Sequence, residues 1–337
     1  MITAFQNRIQ NPCEIDFDLI GRELKAGKHV IVQFSENTYT DKILSQLNEL
    51  CSKYDEYFGV RFYSHYSSSF DFKTLLEIPN VKCLYVDCLT KANNVSILSE
   101  LNHIKMLSLG VFELQDPEIL KAGNLKNLTT LFLTETRTKA FNLGYLSEYK
   151  NLKELIICQH VKNIDAVGDL VDLEYLSLNS IKKTPVSFVN KLNKLKTLRF
   201  ILGGRENFHE IEENEIENLG VIRVRGFNDI SNISRFKKLK TLLIEDNIQL
   251  SRIHFDKEFT NLTDLKILNC KTLSSLTGLE NLIRLNQLRV HQTNLDLEGV
   301  LNQNLPKTLK TFAFYTTKKK IDEEIKATLK KRGYSEW

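Results

Sequence analysis

The chain has 337 residues, of which 42% are hydrophobic and 26% are charged, enough apolar material for a large core in a soluble protein. Its 46 basic and 42 acidic residues leave a net charge of +4, which is too small to predict nucleic-acid binding. No run approaches the roughly 18 apolar residues of a membrane-spanning helix, so no membrane partner is expected.

The N-terminus and the cysteines indicate a reducing compartment. Residues 1–25 carry polar and acidic side chains where a signal peptide has a basic start and an apolar block. The six cysteines match the spacing of neither a disulfide framework nor a zinc site. We therefore expect a cytoplasmic protein with reduced thiols, no metal and no cofactor. Heavy use of Lys, Asn and Ile suits a bacterium with an AT-rich genome.

The first elements predicted along the chain are a strand and a helix. KHVIVQF, residues 28–34, is typical of a strand, and TDKILSQLNELCSKY, residues 40–54, is typical of an amphipathic helix. Thr40 or Asp41 is the candidate N-cap. With the following segment YFGVRFYS as a second strand, these elements predict a βαβ unit. Residues 1–56 are thus predicted to form an N-terminal βα cap.

The pattern L-x-x-L-x-L recurs through most of the remaining chain. A weaker first copy begins at Tyr57, and eleven clear copies begin at Val81, Ile104, Leu128, Leu152, Leu173, Leu195, Leu219, Leu239, Leu262, Leu285 and Leu309. Neighbouring copies begin 20–24 residues apart. A nearly fixed period of this length indicates a stack of similar coils.

The spacing within the motif indicates how one coil folds. Its last two apolar positions alternate with polar ones, as on a short strand with one face inward. Leucines spaced by three, as in Leu279, Leu282 and Leu285, suit a 3₁₀ return segment. Because one coil cannot bury its apolar face alone, stacked coils build a continuous core and a parallel sheet.

This repeat resembles the leucine-rich repeat, and its short period is most similar to the internalin and phosphatase-regulator types. The resemblance implies an α/β fold: a right-handed solenoid, or horseshoe, with a parallel concave β-sheet and thin convex segments. We predict about 11–12 coils over residues 57–317, within a single continuous domain. The family's asparagine ladder position holds Asn247, Cys270 and His160 in three of the coils, which predicts irregular turns.

The last segment predicts a helix from about Ile321 to Lys331 that ends before Gly333. Its apolar residues recur at i+4 and are expected to lie on the last coil. Residues 318–337 are therefore predicted to form a C-terminal helical cap. Its lysines are interpreted as a solvated face rather than a nucleic-acid patch.

Motifs for catalysis are weak. The diglycine at Gly203 lacks the spacing of a phosphate loop and is interpreted as a loop at the end of a coil. Cys83 and Cys88 have no second pair at metal spacing. Cys158 and His160 lie close in sequence, but a catalytic pair needs an oriented geometry that spacing does not supply. We predict no enzymatic activity, with a hydrolase or metal enzyme as the remote alternative.

The outward strand positions are the candidate binding residues. In L-x-x-L-x-L-x the third, fifth and seventh positions face away from the core, onto the concave sheet in this family. The basic candidates, in the C-terminal half, are Arg199, Arg223, Arg225, Lys266 and Arg289. The aromatic and apolar candidates are Tyr63, Tyr85, Phe132, Ile156 and Tyr175. Arginine and large aromatic side chains are enriched at binding hot spots.

These residues predict a non-catalytic protein–protein interaction module whose partner has an acidic surface and docks on the concave sheet. The alternative places the partner on the convex side, an edge or a cap. A second alternative for the role is an inhibitor or immunity-type protein that neutralises a toxin or an enzyme. No nucleic-acid partner is expected.

Overall fold

The computed structural model describes residues 6–335, so the outermost residues of both predicted caps lie outside the described part. The chain divides into two compact units, the first ending at Asp172 and the second beginning at Leu173. In each unit, short parallel strands alternate with turns and return segments. The predicted cap boundaries and the single continuous domain stay predictions.

The first unit holds the strands β1 Gln6–Gln10, β2 His29–Ser35, β3 Phe58–Ser64, β4 Phe70–Asp71, β5 Cys83–Leu89, β6 Ala92–Asn93, β7 Met106–Val111, β8 Thr130–Leu133 and β9 Glu154–Cys158. All except β4 and β6 lie in one main sheet of parallel neighbours. β4 and β6 pair with each other. The helices of this unit are α1 Phe17–Lys25 and α2 Asp41–Lys53.

The predicted N-terminal strand and helix are present. β2 covers most of residues 28–34, and α2 covers most of residues 40–54. Thr40, rather than Asp41, is the N-cap, because its side chain accepts a hydrogen bond from the Ile43 N–H. β2 and β3 pair in parallel across α2, which gives the predicted βαβ unit.

The structure adds a strand and a helix that the sequence pattern does not predict. Residues 1–20 show no clear period, yet β1 pairs with β2 and α1 follows it. β1 reads QNRIQ, and a mostly polar sequence is common in an edge strand. α1 is capped by Asp16, whose side chain accepts a hydrogen bond from the Leu19 N–H at 2.8 Å.

The second unit holds the strands β10 Tyr175–Asn179, β11 Thr197–Ile201, β12 Asn218–Ile222, β13 Thr241–Glu245, β14 Arg252–His254, β15 Asp264–Leu268, β16 Ser275–Thr277, β17 Gln287–His291 and β18 Thr311–Tyr315. All except β14 and β16 lie in one main sheet of parallel neighbours. The helices are α3 Leu297–Leu301 and α4 Lys319–Lys331. Several coils return through short 3₁₀ segments, as predicted.

The strand leucines stack in register and form the core. In the second unit one such row is Leu176, Leu198, Leu219, Leu242, Leu265, Leu288 and Phe312. Every member is buried. Burying one such side chain stabilises the fold by roughly 1.5–3 kcal/mol, so the row is a large part of the driving force for stacking.

The strand pairing corrects the predicted starting residue of one copy of the motif. Leu219 pairs with Leu198 and Leu242, which occupy the fourth motif position. Leu219 is therefore also a fourth-position residue, and its motif begins three residues earlier, at Ile216. Both frames place apolar residues at the motif positions, and only pairing with the neighbouring strands distinguishes them.

In the second unit, each main-sheet strand from β10 to β17 is followed by one residue in the left-handed backbone region. These residues have φ between 51° and 60°: Ser180, Leu202, Arg223, Asp246, Asn269 and Gln292. Their N–H groups each donate to a carbonyl of the next strand at 2.7–2.9 Å. The inter-strand hydrogen bonds help to offset the cost of a conformation that non-glycine residues rarely adopt.

The expected irregular turns are therefore not found after the main-sheet strands of the second unit, and the varied side chains at the ladder position still bridge neighbouring coils. The Asn247 side chain accepts from the Val224 N–H at 3.0 Å and donates to the Val221 carbonyl at 2.8 Å. The corrected frame thus puts Val224 in the ladder row. His160 makes the equivalent contacts, accepting from the Phe141 N–H at 3.4 Å and donating to the Thr134 carbonyl at 2.7 Å.

The C-terminal helix α4 packs on β18 through only part of its predicted apolar stripe. Ile325 and Leu329 are buried, whereas Ile321 is 40% exposed, so the expectation for Ile321 was wrong. Asp322 accepts hydrogen bonds from the N–H groups of Thr316 and Thr317, which holds the start of the helix against the end of the strand. None of the helices in the described residues has the length and apolarity that crossing a bilayer requires.

Candidate interaction surfaces

The strands of each unit have one face in the core and one face turned away from it. Fourth- and sixth-position side chains enter the core, and third-, fifth- and seventh-position side chains lie on the other side, which we call the open face. The two units are described separately. Their open faces carry different side chains.

On the second unit, the open face carries three of the five predicted cations. The fifth-position row is Ser177, Arg199, Gly220, Leu243, Lys266, Arg289 and Ala313. Arg199 is exposed and lies over Gly220, where an added Cβ would approach its Cγ to 3.3 Å. Its guanidinium is also 5.7 Å from the centre of the Tyr175 ring, a cation–π geometry.

Arg223 and Arg225 do not lie in this row, which corrects the predicted basic column. Arg223 is the left-handed residue after β12, at the edge of the sheet, and it pairs with Asp246 at 2.7 Å. Arg225 is also exposed beyond β12, where its backbone bridges to Gly204. Gly220 therefore separates Arg199 from the next coil, and the expected crowding of like charges remains only at Lys266 and Arg289.

The same open face also carries acidic and aliphatic side chains. Asp264 and Glu245 lie at third and seventh positions beside Lys266. Half-buried aliphatic side chains lie among the charges, at Ile201, Ile222, Leu243 and Leu268. The face thus combines a partly apolar centre with positive and negative charges.

On the first unit, two residues of the predicted aromatic and apolar column, Tyr85 and Phe132, pack in a cluster with other strand residues. Ile31, Cys83, Tyr85 and Met106 form one buried cluster, with Phe132 against it. Tyr85 is only 8% exposed, so its predicted role as an exposed contact is corrected. The remaining predicted residues of this face, Tyr63, Phe132 and Ile156, are half-buried.

A polar network that the sequence motifs do not reveal crosses the same face. The Arg61 guanidinium pairs with Asp87 at 2.6 Å, and the Ser108 hydroxyl donates to the other Asp87 oxygen at 2.7 Å. Gln33 accepts a longer hydrogen bond from Arg61 at 3.4 Å, and Arg61 lies 4.6 Å from the centre of the Tyr63 ring. Arg61 stands in the fifth-position row, but its acid comes from a neighbouring strand, so linear spacing does not identify the pair.

The residues weighed for catalysis have structural partners. Both ring nitrogens of His160 are engaged in the ladder, so this side chain is not poised to activate Cys158. The backbone of Gly203 has φ of +74°, and an added Cβ would lie 2.2 Å from the Ile181 carbonyl oxygen, so this turn requires glycine. Within residues 6–335 no three His, Cys, Asp or Glu side chains are grouped to hold a metal ion.

All six cysteines are free thiols. Burial raises the pKa of Cys51 and of Cys83 to about 12, and that of Cys270 to about 11. Cys13 and Cys88 are exposed. Because the thiolate is the reactive form, the three buried thiols are packing residues rather than nucleophiles.

The register, the left-handed turns, the 3₁₀ return segments and the buried leucine rows together identify the architecture. The fold is the leucine-rich-repeat fold. No family model and no curated protein matches the sequence. Because the solved structures that resemble it do so at low identity and low TM-score, the assignment rests on the coils of this chain.

Three solved structures illustrate that similarity. An internalin of Listeria monocytogenes has 17% identity and a TM-score of 0.49, over 85% of this chain and 80% of that chain. A leucine-rich-repeat protein of Leptospira interrogans has 15% identity and a TM-score of 0.41, over 85% and 90%. A chain of the Drosophila Toll–Spätzle complex has 16% identity and a TM-score of 0.46, over 92% and 45%.

Proposed function

We propose that this protein is a non-catalytic interaction module that binds another protein on the open face of its second unit. The observation that carries the proposal is the mixture of side chains there. Ile201, Ile222 and Leu243 are half-buried aliphatic groups, and Arg199 beside them is exposed. An apolar centre edged by arginine is the composition of a binding hot spot.

The partner is proposed to present carboxylates to this face. Arg199, Lys266 and Arg289 outnumber Asp264 and Glu245, so the open face carries a small positive excess. Charge complementarity of this kind accelerates association and orients the partner. It also makes the association rate fall as the salt concentration rises.

The test is a double charge reversal, Arg199→Glu with Lys266→Glu, in the full chain. The protein captured by wild type is identified and purified, and its Kd for each variant is measured by calorimetry. We expect binding to weaken by tenfold or more, about 1.4 kcal/mol, with an unchanged melting temperature. Arg284→Glu is the matched control, because Arg284 is exposed but lies before β17, outside the open-face rows. Equal affinity of the double variant and wild type would exclude this face.

A further inference from the structure

The open face of the first unit contains a groove of about 220 Å³ near the N-terminal ends of its strands. The lining residues that matter here are His29, Glu56, Tyr57, Met106, Thr130 and Glu154. Met106, Thr130 and Glu154 are third-position residues of β7, β8 and β9, so the groove runs across neighbouring strands. The groove contains none of the cations or aliphatic side chains that form the proposed binding surface of the second unit.

The floor of the groove is apolar and fixed. Met106 is 2% exposed and packs with Ile31, Cys83 and Tyr85 in the buried cluster. Because Met106 itself has little accessible surface, the apolar surface open to the methylene groups of a long side chain is that of the Tyr57 and His29 rings beside it.

One wall of the groove is an exposed aromatic pair. Tyr57 is 49% exposed, and its ring centre is 4.5 Å from that of His29, with a 34° angle between the rings. Burial lowers the pKa of His29, so its imidazole is neutral at pH 7 and adds no positive charge to the wall. The face of a tyrosine ring attracts a guanidinium or an ammonium group.

The charged residues of the groove are acidic. Glu56 and Glu154 line it, and the described lining contains neither lysine nor arginine. This distribution is opposite in sign to the excess on the second unit. An apolar floor, an aromatic wall and two carboxylates are together complementary to a cation on an aliphatic stem.

We propose that this groove binds an arginine side chain of a protein partner. The stem crosses the groove above the buried Met106, the guanidinium stacks on Tyr57, and Glu56 and Glu154 supply the negative charge. A guanidinium fits better than an ammonium group because it is planar and stacks on aromatic faces. The proposal does not depend on binding at the second unit.

The test uses Nα-acetyl-arginine amide as the probe and the full chain labelled with ¹³C in its methionine methyl groups. The chain has two methionines, Met1 and Met106, and Met1 lies outside the described residues. We expect a saturable shift of the Met106 signal, which the Met106→Leu variant assigns. Nα-acetyl-norleucine amide has an aliphatic stem without charge, and we expect it to bind at least fivefold more weakly. Equal binding of the two probes, or no shift with arginine, would overturn the proposal.

Two variants test the walls of the groove. Glu56→Gln keeps the shape and removes one charge, and Tyr57→Leu removes the ring, so each is expected to weaken the arginine probe at least threefold. Glu77→Gln is the matched control, because Glu77 is an exposed carboxylate at the end of a 3₁₀ segment of the same unit. The proposal fails if Glu56→Gln binds the probe as tightly as Glu77→Gln, with both proteins melting as wild type does.

Discussion

The two units are built from the same kind of coil, but the side chains on their open faces differ in size and exposure. In the first unit, large side chains at the third and fifth positions, such as Met106 and Tyr85, pack on one another and are buried. In the second unit, Thr197 and Gly220 stand at such positions, and Arg199 beside them remains exposed. Side-chain size at two strand positions thus decides whether a repeat face is filled by its own residues or left exposed.

Two ion pairs show the same difference. Arg61 and Asp87 in the first unit have side chains that are 15% and 10% exposed, whereas Arg223 and Asp246 in the second are 67% and 21% exposed. Both pairs join neighbouring coils. The first pair is shielded from water and salt, so removing one of its partners is expected to destabilise the fold, whereas breaking the exposed second pair is expected to cost little.

The largest expected effect tests what the two units share. Leu155→Ala in the first unit and Leu265→Ala in the second each remove a fully buried fourth-position leucine. Each is expected to lower the free energy of unfolding by about 2–5 kcal/mol, because both cores are packed from stacked strands. Denaturant titration measures it. An unchanged unfolding midpoint for either variant would contradict the register of that unit.

The next effect separates the two ion pairs. Asp87→Asn leaves the Arg61 guanidinium shielded and without its counter-charge, which is expected to cost about 2–3 kcal/mol. Asp246→Asn is the matched variant of the exposed pair and is expected to cost less than about 1 kcal/mol. Both are measured by the same titration. Equal losses in the free energy of unfolding would mean that water reaches the Arg61–Asp87 pair as easily as it reaches the Arg223–Asp246 pair.

A pH effect is expected in the first unit. Burial lowers the pKa of His65 and of His160 from the ordinary value of 6.5. The unfolded chain therefore binds more protons than the folded chain below pH 6.5, so stability is complete above that pH and declines as the pH falls towards the folded-state pKa values. In His160→Asn, an asparagine restores the ladder contacts that Asn247 makes. Its melting temperature should depend less on pH between 7 and 5 than that of wild type.

Hydrogen exchange assigns this effect to its unit. Amides around β8 and β9 should lose protection on acidification in wild type and keep more of it in His160→Asn. His209→Asn is the control, because His209 is exposed on the second unit. If His160→Asn loses stability with acid as steeply as wild type does, the ladder histidine is not the source.

The smallest expected effect tests whether the buried cluster on the open face of the first unit stays closed in the native protein. Cys83 lies on the open face of the first unit but is 3% exposed, whereas Cys13 is exposed. Alkylation at pH 8, followed by mass spectrometry, should modify Cys13 rapidly and Cys83 only on unfolding. Labelling of Cys83 at the rate of Cys13 would show that the cluster with Tyr85 and Met106 opens in the native protein.

The sequence alone determines the repeat, the inward rows and the coil plan. Most coils have a leucine at the motif position of Leu265. Such a row of apolar side chains is stable only when it is buried against the neighbouring coils. The helix after Thr40 is equally local, since it needs only an amphipathic period and a cap. These features depend on residues close together in the chain, so the pattern contains them.

Tertiary structure decides what depends on the neighbouring coil. The segment from Ile216 to Val224 fits the motif in two frames, and pairing with Leu198 and Leu242 selects the one that moves Arg223 to the edge. Whether an outward side chain is exposed is decided in the same way. Tyr85 is buried because Met106 and Ile31 are large, and Arg199 is exposed because its neighbour is Gly220. Contacts between residues more than twenty positions apart determine both outcomes, and a pattern read along one strand does not contain them.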